Sequence, residues 1–226
     1  MKYYLIHNGD ENRKTRMIEA FKKGNIDLND VIWLIKPTKD DINYEFVINN
    51  VIPGISYTCN VPIDAQNTIG KGLMCCTYKH YLALKKIVES NEPYGVILED
   101  NIDLSENMPS KLDVYIKQLN ELYPDWDIIF DTEWQNPPVR YREGEIKKDI
   151  YVYPKSNEIT NFCHGGTKCA QFYLLTLECA KKLYENYLPF NNAPDWWMND
   201  LFRKLNIKSF WAKPSNVLYW KHTSSV

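Results

Sequence analysis

The sequence predicts an α/β fold, a mainly parallel sheet flanked by helices, in a single domain over residues 1–226. Two observations predict it. Short apolar runs of strand length alternate with longer segments whose apolar residues recur at helical intervals, the order produced when crossover helices join parallel strands. No linker-like Gly/Ser tract, low-complexity stretch or internal repeat divides the 226 residues. A chain of that length buries roughly 70% of its unfolded surface around an ordinary core, without staples.

The elements follow in order. Tyr3–His7 reads as a strand, Asn8–Asn12 as a polar turn, and the next segment as a helix through Lys23 that Gly24 ends. Val31–Ile35 is a second apolar run, closed by Pro37. Residues 38–70 mix turn signals (Pro53-Gly54, Pro62) with no clear period, and no element is assigned to them. The clearest helix spans Lys71–Ser90, where Leu73, Thr77, Tyr81, Leu84, Ile87 and Val88 recur at three- and four-residue intervals. Tyr94–Leu98 is a buried-type strand that runs into acid, Glu99-Asp100-Asn101-Ile102-Asp103. A helix over Lys111–Leu122 precedes a second strand ending in acid, Trp126–Phe130 followed by Asp131 and Glu133. Residues 139–153 read as a hairpin around Glu143-Gly144, and 154–169 as a loop. A strand at Phe172–Leu175, helices at 177–186 and 196–205, and a last strand at Lys208–Ala212 complete the series.

Composition excludes several classes of function. Twenty-seven basic residues stand against 29 acidic ones, a formal charge of -2, so the basic stripe that duplex nucleic acid requires is missing. The longest aliphatic or aromatic run, Val31–Ile35, is far short of the ~20 residues that span a bilayer. Met1–Ile6 turns polar at His7, which leaves no signal-peptide core and favours a soluble, cytoplasmic protein. The six cysteines contain no CxxC pair and read as small buried hydrophobes in a reducing compartment. Cys163, His164, Cys169 and Cys179 lack the spacing of a closed zinc site. No P-loop is present, and Asp100 to Asp103 is not the D-x-D spacing of aspartyl-phosphate enzymes. Aromatic residues reach 14%, with 7 Trp and 16 Tyr, and offer platforms for sugar rings as well as core filling.

Ligands of open α/β sheets bind beyond the carboxyl ends of the strands. The strand at 94–98 delivers Glu99, Asp100, Asn101 and Asp103 there. If the chain stays extended, Glu99, Asn101 and Asp103 share one face and Asp100 opposes them. Oxygen ligands of this kind suit Mg²⁺ or Mn²⁺, and a solvated acidic loop is the plain alternative.

Gly72–His80 (GLMCCTYKH), the helix behind it and Val96–Ile102 (VILEDNI) resemble glycosyltransferase family 25, which includes lipooligosaccharide sugar transferases and collagen galactosyltransferases. Gly72, Cys76 and His80 fall on matching positions of the family pattern GEIGCFLSH, and the later ILEDDV is read here as ILEDNI. Arg13, Arg16 and Met17 resemble the family's opening, INLDRSxDRxxRM, as do Trp126–Ile129, Gly166-Thr167, Ala180 and Pro194-Asp195 their later counterparts. The resemblance implies a GT-A-like Rossmann-type fold that inverts the sugar's anomeric centre, with a UDP-sugar donor, galactose or glucose as the hexose, and a divalent metal, Mn²⁺ or Mg²⁺. The implied acceptor is a glycan or a hydroxylysine-type hydroxyl. Glu99, Asn101, Asp103 and His222 are the implied metal ligands. Asn8, Arg13, Arg16, Gly72, His80 and Glu99 are the implied donor contacts, with Asp100 or Glu99 near the ribose and Asp100 essential to transfer. Asp195 is the expected general base because Trp196 and Trp197 beside it could grip a sugar, with Asp200 and Asp131 as alternatives. His80 has two readings, a hydrogen-bonded core histidine or a pocket wall near the donor. The sequence departs from the pattern at Asn101, where the family has Asp, and at Gly9, where it has Arg. Asn101 motivates the rival expectation of a degenerate protein that binds nucleotide-sugar or glycan without turnover.

Overall fold

In the computed structural model, residues 1–52, 66–132, 150–155, 159–160, 163–164 and 170–219 are described. Their order is β1 (Lys2–Ile6), α1 (Glu11–Lys23), β2 (Val31–Leu34), α2 (Tyr44–Asn50), α3 (Gln66–Ser90), β3 (Tyr94–Glu99), β4 (Ile102–Leu104), α4 (Met108–Leu122), β5 (Ile128–Phe130), β6 (Val152–Lys155), β7 (Ile159–Thr160), β8 (Cys163–His164), β9 (Phe172–Thr176), α5 (Leu177–Asn186), α6 (Pro194–Lys204), β10 (Ser209–Ala212) and β11 (Val217–Tyr219).

A seven-stranded sheet, ordered β2-β1-β3-β9-β5-β10-β6, organises these elements. β1 pairs in parallel with β2 and β3, and β5 with β10, while β9 and β6 run antiparallel to their neighbours. The sheet is thus mostly parallel, flanked by helices. Alternation along each strand feeds two cores. Tyr3, Leu5, Val96, Leu98, Ile129, Phe172 and Leu174 point to one side, with Met17 and Phe21 of α1 and Leu112, Tyr115 and Leu119 of α4. Tyr4, Ile6, Ile97, Phe130, Tyr173 and Leu175 point to the other, with Leu84 and Ile87 of α3, Leu183 of α5 and Phe202 of α6. Strands buried on both faces read as unbroken apolar runs, which is why the sequence displays them so clearly.

Local signals set most boundaries. Asp10 caps α1 by accepting the Arg13 amide at 2.8 Å, and the Gly24 amide closes the helix on Ala20 O at 2.8 Å. Pro194 opens α6, where its missing N–H costs nothing. In the unassigned stretch, Asn43 caps α2 and α3 begins at Gln66, ahead of the expected Lys71. The hairpin expected around Glu143-Gly144 lies outside the described residues. The expected loop over 154–169 contains a two-stranded ladder, β7–β8.

Candidate active site

The site begins where β1 and β3 end. Their parallel register sets Ile6 beside Glu99, so the loop leaving β1 and the turn leaving β3 emerge together at the carboxyl edge. Gly9 adopts φ +94°, a conformation that strains any side chain, and its amide donates to His7 Nδ1 at 2.8 Å. That turn explains glycine where the resembling pattern carries Arg.

The chain does not stay extended past Glu99. Asp100 and Asn101 form a turn before β4, so Glu99, Asn101 and Asp103 do not alternate along one strand as expected. Asp103 lies in β4, and its Oδ2 accepts Lys23 Nζ at 3.0 Å. Its expected ligand role therefore competes with an ion pair to a lysine on α1. Asp100 sits deeper in the protein. It is buried, its Oδ1 accepts Arg13 Nη1 at 2.7 Å and its Oδ2 accepts the Asn8 amide at 2.8 Å. Both oxygens are engaged by protein, so Asp100 ties the end of β3 to the β1 loop and α1. Three expected site residues, Asn8, Arg13 and Asp100, therefore do meet, through a contact the sequence did not specify. Behind them the buried Lys79 donates to His7 O at 2.8 Å, and burial lowers its pKa.

Glu99 is the centre of a second cluster. Its Oε1 lies 3.3 Å from His80 Nε2 and 3.8 Å from Cys76 Sγ. His80 Nδ1 is 2.7 Å from the Tyr173 hydroxyl, and the two rings stack at 5.7 Å. His80 is fully buried and hydrogen-bonded, as its core reading expects, and it also contacts the rim carboxylate. Cys76 and Tyr173 were missed as site residues. The Cys76–His80 spacing of one helical turn was visible in the sequence, but the strand residue it faces was not.

Asp195 approaches the same cluster from the first turn of α6. Burial, with Glu99 adding its charge, pushes its carboxyl up to about 6 even though the Trp196 amide donates to Oδ1 at 2.9 Å. The alternatives are committed elsewhere. Asp200 pairs with Arg203, and the buried Asp131 accepts the Tyr115 and Ser215 hydroxyls and the Asn216 amide. Trp196 and Trp197 are both half-buried, and Trp197 Nε1 donates to Tyr187 O at 2.8 Å, turning that indole edge inward. The Tyr187 hydroxyl is buried without a hydrogen-bond partner among the described residues, and Cys76, Asp195 and Glu99 add to the burial that raises its pKa.

Gly72 sits in α3 where a Cβ would come 3.3 Å from Lys39 Cε, a close approach that joins the 3₁₀ turn Lys39–Asp41 to the helix. Arg16 is exposed on α1. His222 lies outside the described residues. Glu99 and Asn101 are the expected oxygen ligands nearest the end of β3. Asn101 Oδ1 is buried with no hydrogen-bond partner among the described residues, an orphaned acceptor two positions past the Glu99 carboxylate. Carboxylate and amide oxygens are the hard donor types that Mg²⁺ and Mn²⁺ take.

A family model described as glycosyltransferase family 25 (LPS biosynthesis protein) matches residues 4–198. Among solved structures, the chain is similar to the crystal structure of A197 from STIV, at 12% identity and TM-score 0.47, over 96% of this chain and 83% of that one. It is also similar to mouse xyloside xylosyltransferase 1 in its apo form, at 9% identity and TM-score 0.38, over 92% and 83%. No curated protein sequence matches the chain. Among the described residues, no helix is long and apolar enough to cross a membrane.

Proposed function

Because the chain belongs to glycosyltransferase family 25 and is a glycosyltransferase, we propose that it transfers a hexose, galactose or glucose, from a UDP-sugar to a hydroxyl with inversion. A glycan of the lipopolysaccharide kind is the acceptor this reading favours, and a hydroxylysine-type hydroxyl is the other. The observation that carries the proposal is Asp195, a carboxylate at the sheet's carboxyl rim whose pKa of about 6 suits a base working near neutrality.

In this reading Asp195 takes the proton from the acceptor hydroxyl as its oxygen attacks the anomeric carbon. The bond to the UDP oxygen breaks on the opposite side, which inverts the centre. Glu99 and Asn101 would hold Mn²⁺ or Mg²⁺, which supplies positive charge to the departing diphosphate. Arg13 and Asp100 fix the β1 loop around the donor. His80, itself held by Tyr173, fixes the Glu99 carboxylate.

Titration calorimetry with UDP tests the donor half. Affinity should rise at least tenfold with Mn²⁺, and Glu99→Gln should remove that gain. Equal UDP affinity with and without the ion rejects the metal-assisted version. Asn101 favours a second reading, a binding protein without turnover, because it lacks the charge of the family's Asp. Asn101→Asp separates the two: activity gained from a silent protein supports that reading, and wild-type hydrolysis of a UDP-sugar to UDP rejects it.

A further inference from the structure

The geometry points to a second kind of metal chemistry at the same rim: we propose that Cys76, His80 and Glu99 form a three-ligand site for a thiophilic divalent cation of the Zn²⁺ class.

Cys76 and His80 stand one turn apart on α3 and face Glu99 at the end of β3. Their donor atoms all lie within 4.8 Å of one another. A tetrahedral zinc ion with bonds of about 2.0 Å to nitrogen, 2.1 Å to oxygen and 2.3 Å to sulfur separates N from O by about 3.4 Å and S from O by about 3.6 Å. The observed separations are 3.3 Å for His80 Nε2 to Glu99 Oε1 and 3.8 Å for Cys76 Sγ to the same oxygen. These two edges therefore stand within a few tenths of an ångström of those such an ion imposes, and the third, between Cys76 and His80, is within 4.8 Å.

The surroundings agree with this. A ligating histidine needs its other ring nitrogen held, and His80 Nδ1 is 2.7 Å from the Tyr173 hydroxyl. With the ion on Nε2, the ring proton sits on Nδ1 and donates to Tyr173. Cys76 and Glu99 are half-buried, so the cluster is reached by solvent on that side while His80 is fully buried. Sulfur and imidazole select Zn²⁺ over Mg²⁺ and Mn²⁺, whereas the oxygen pair Glu99 and Asn101 selects the reverse. Burial and the Glu99 charge push the Cys76 thiol well up, so the ion must displace its proton, which leaves to solvent as the S–Zn bond forms. Without an ion, S–H and N–H hydrogen bonds to Glu99 account for the same contacts, and that is the explanation the experiment must exclude.

Resting on the proposed function, one consequence follows from the shared Glu99: Zn²⁺ in the triad and Mn²⁺ on the oxygen pair exclude each other, so Zn²⁺ antagonises Mn²⁺-supported UDP binding.

Co²⁺, a spectroscopic stand-in for Zn²⁺, tests the site directly in the chelator-treated full chain. The expected result is one ion per chain, a thiolate-to-cobalt charge-transfer band in the near ultraviolet, intense visible bands of a tetrahedral ion, and displacement of all three by Zn²⁺. Cys76→Ser should abolish the charge-transfer band and weaken Zn²⁺ binding at least tenfold, while Cys75→Ser retains both. A wild-type protein without the band, or a folded Cys76→Ser protein that keeps it, overturns the proposal. Should Cys76→Ser not fold, X-ray absorption of the zinc-loaded wild type decides: one sulfur neighbour supports the site, and nitrogen and oxygen alone overturn it. The readouts need no UDP, so failure of the donor reading and failure of this site are told apart.

Discussion

At Asp195 two effects compete. The carboxylate lies in the first turn of α6, where the helix dipole and the Trp196 amide favour the anion. Burial and the Glu99 charge oppose them and win, raising the pKa from 3.8 to about 6. The sign has two consequences. As a base, Asp195 works only when ionised, so transfer should fall with unit slope below about pH 6, and Asp195→Asn should lower kcat at least a hundredfold. As a buried acid, it binds its proton more tightly folded than unfolded. Its protonated form is therefore favoured at low pH, and stability is lost as pH rises from 3.8 to about 6. Asp195→Asn should then unfold at a higher temperature than wild type at pH 7, with the difference vanishing near pH 3. A pH–rate profile and thermal scans at the two pH values check both claims. An asparagine variant that is active, or one less stable at pH 7, removes Asp195 from the role of buried base.

Among the elements, α3 determines how closely the site is assembled, because it supplies Lys79 to the β1 loop and Cys76 and His80 to Glu99. It can lie so near the sheet because β3 carries glycine at 95. A Cβ there would stand 2.5 Å from Ile87 Cδ1 and 2.6 Å from Ile87 Cγ1, and Ile87 is fully buried. Gly95→Ala should cost roughly 1–3 kcal/mol by overpacking, measured by urea unfolding. Ile87→Val in the same chain should recover part of the loss. An additive double variant would show that the two do not collide. The direction of β9 matters as well. Its antiparallel course between β3 and β5 sets Tyr173 opposite Ile97 and Phe130, and from there the hydroxyl reaches His80.

Across the whole molecule, Asp131 ties distant parts of the chain at the end of β5. It accepts from Tyr115 of α4 at 2.9 Å, and from Ser215 and Asn216 before β11 at 2.9 and 2.7 Å. β11 in turn pairs with β4, directly beyond the Asp100–Asn101 turn. Asp131→Ala would leave a buried hydroxyl and an amide without their acceptor, at a cost of roughly 2–4 kcal/mol. The measurement is chemical denaturation, and hydrogen exchange should show β4 and β11 losing protection first. Uniform loss across the sheet would instead make Asp131 an ordinary core residue.

Much of this architecture was legible in the residues. Strands buried on both faces and helices of period 3.6 mark themselves, which is why Leu177–Asn186 was read to the residue and β1, β3 and α1 within one or two. The carboxylates after β3 were likewise visible as strand-end acids, and Asp195 as an acid between proline and tryptophans. Their partners were not, because a side chain's neighbour across the sheet depends on strand order and direction, and neither leaves a trace in local pattern. The sequence by itself determined which segments are strands and helices and that acid collects at one rim, since both follow from the spacing of apolar residues. Only the tertiary structure decided that Asp100 belongs to Arg13, Asp103 to Lys23, and Glu99 to His80 and Cys76. Those pairings are made by residues 19 to 87 positions apart in the chain, brought together by the packing of α1 and α3 on the sheet.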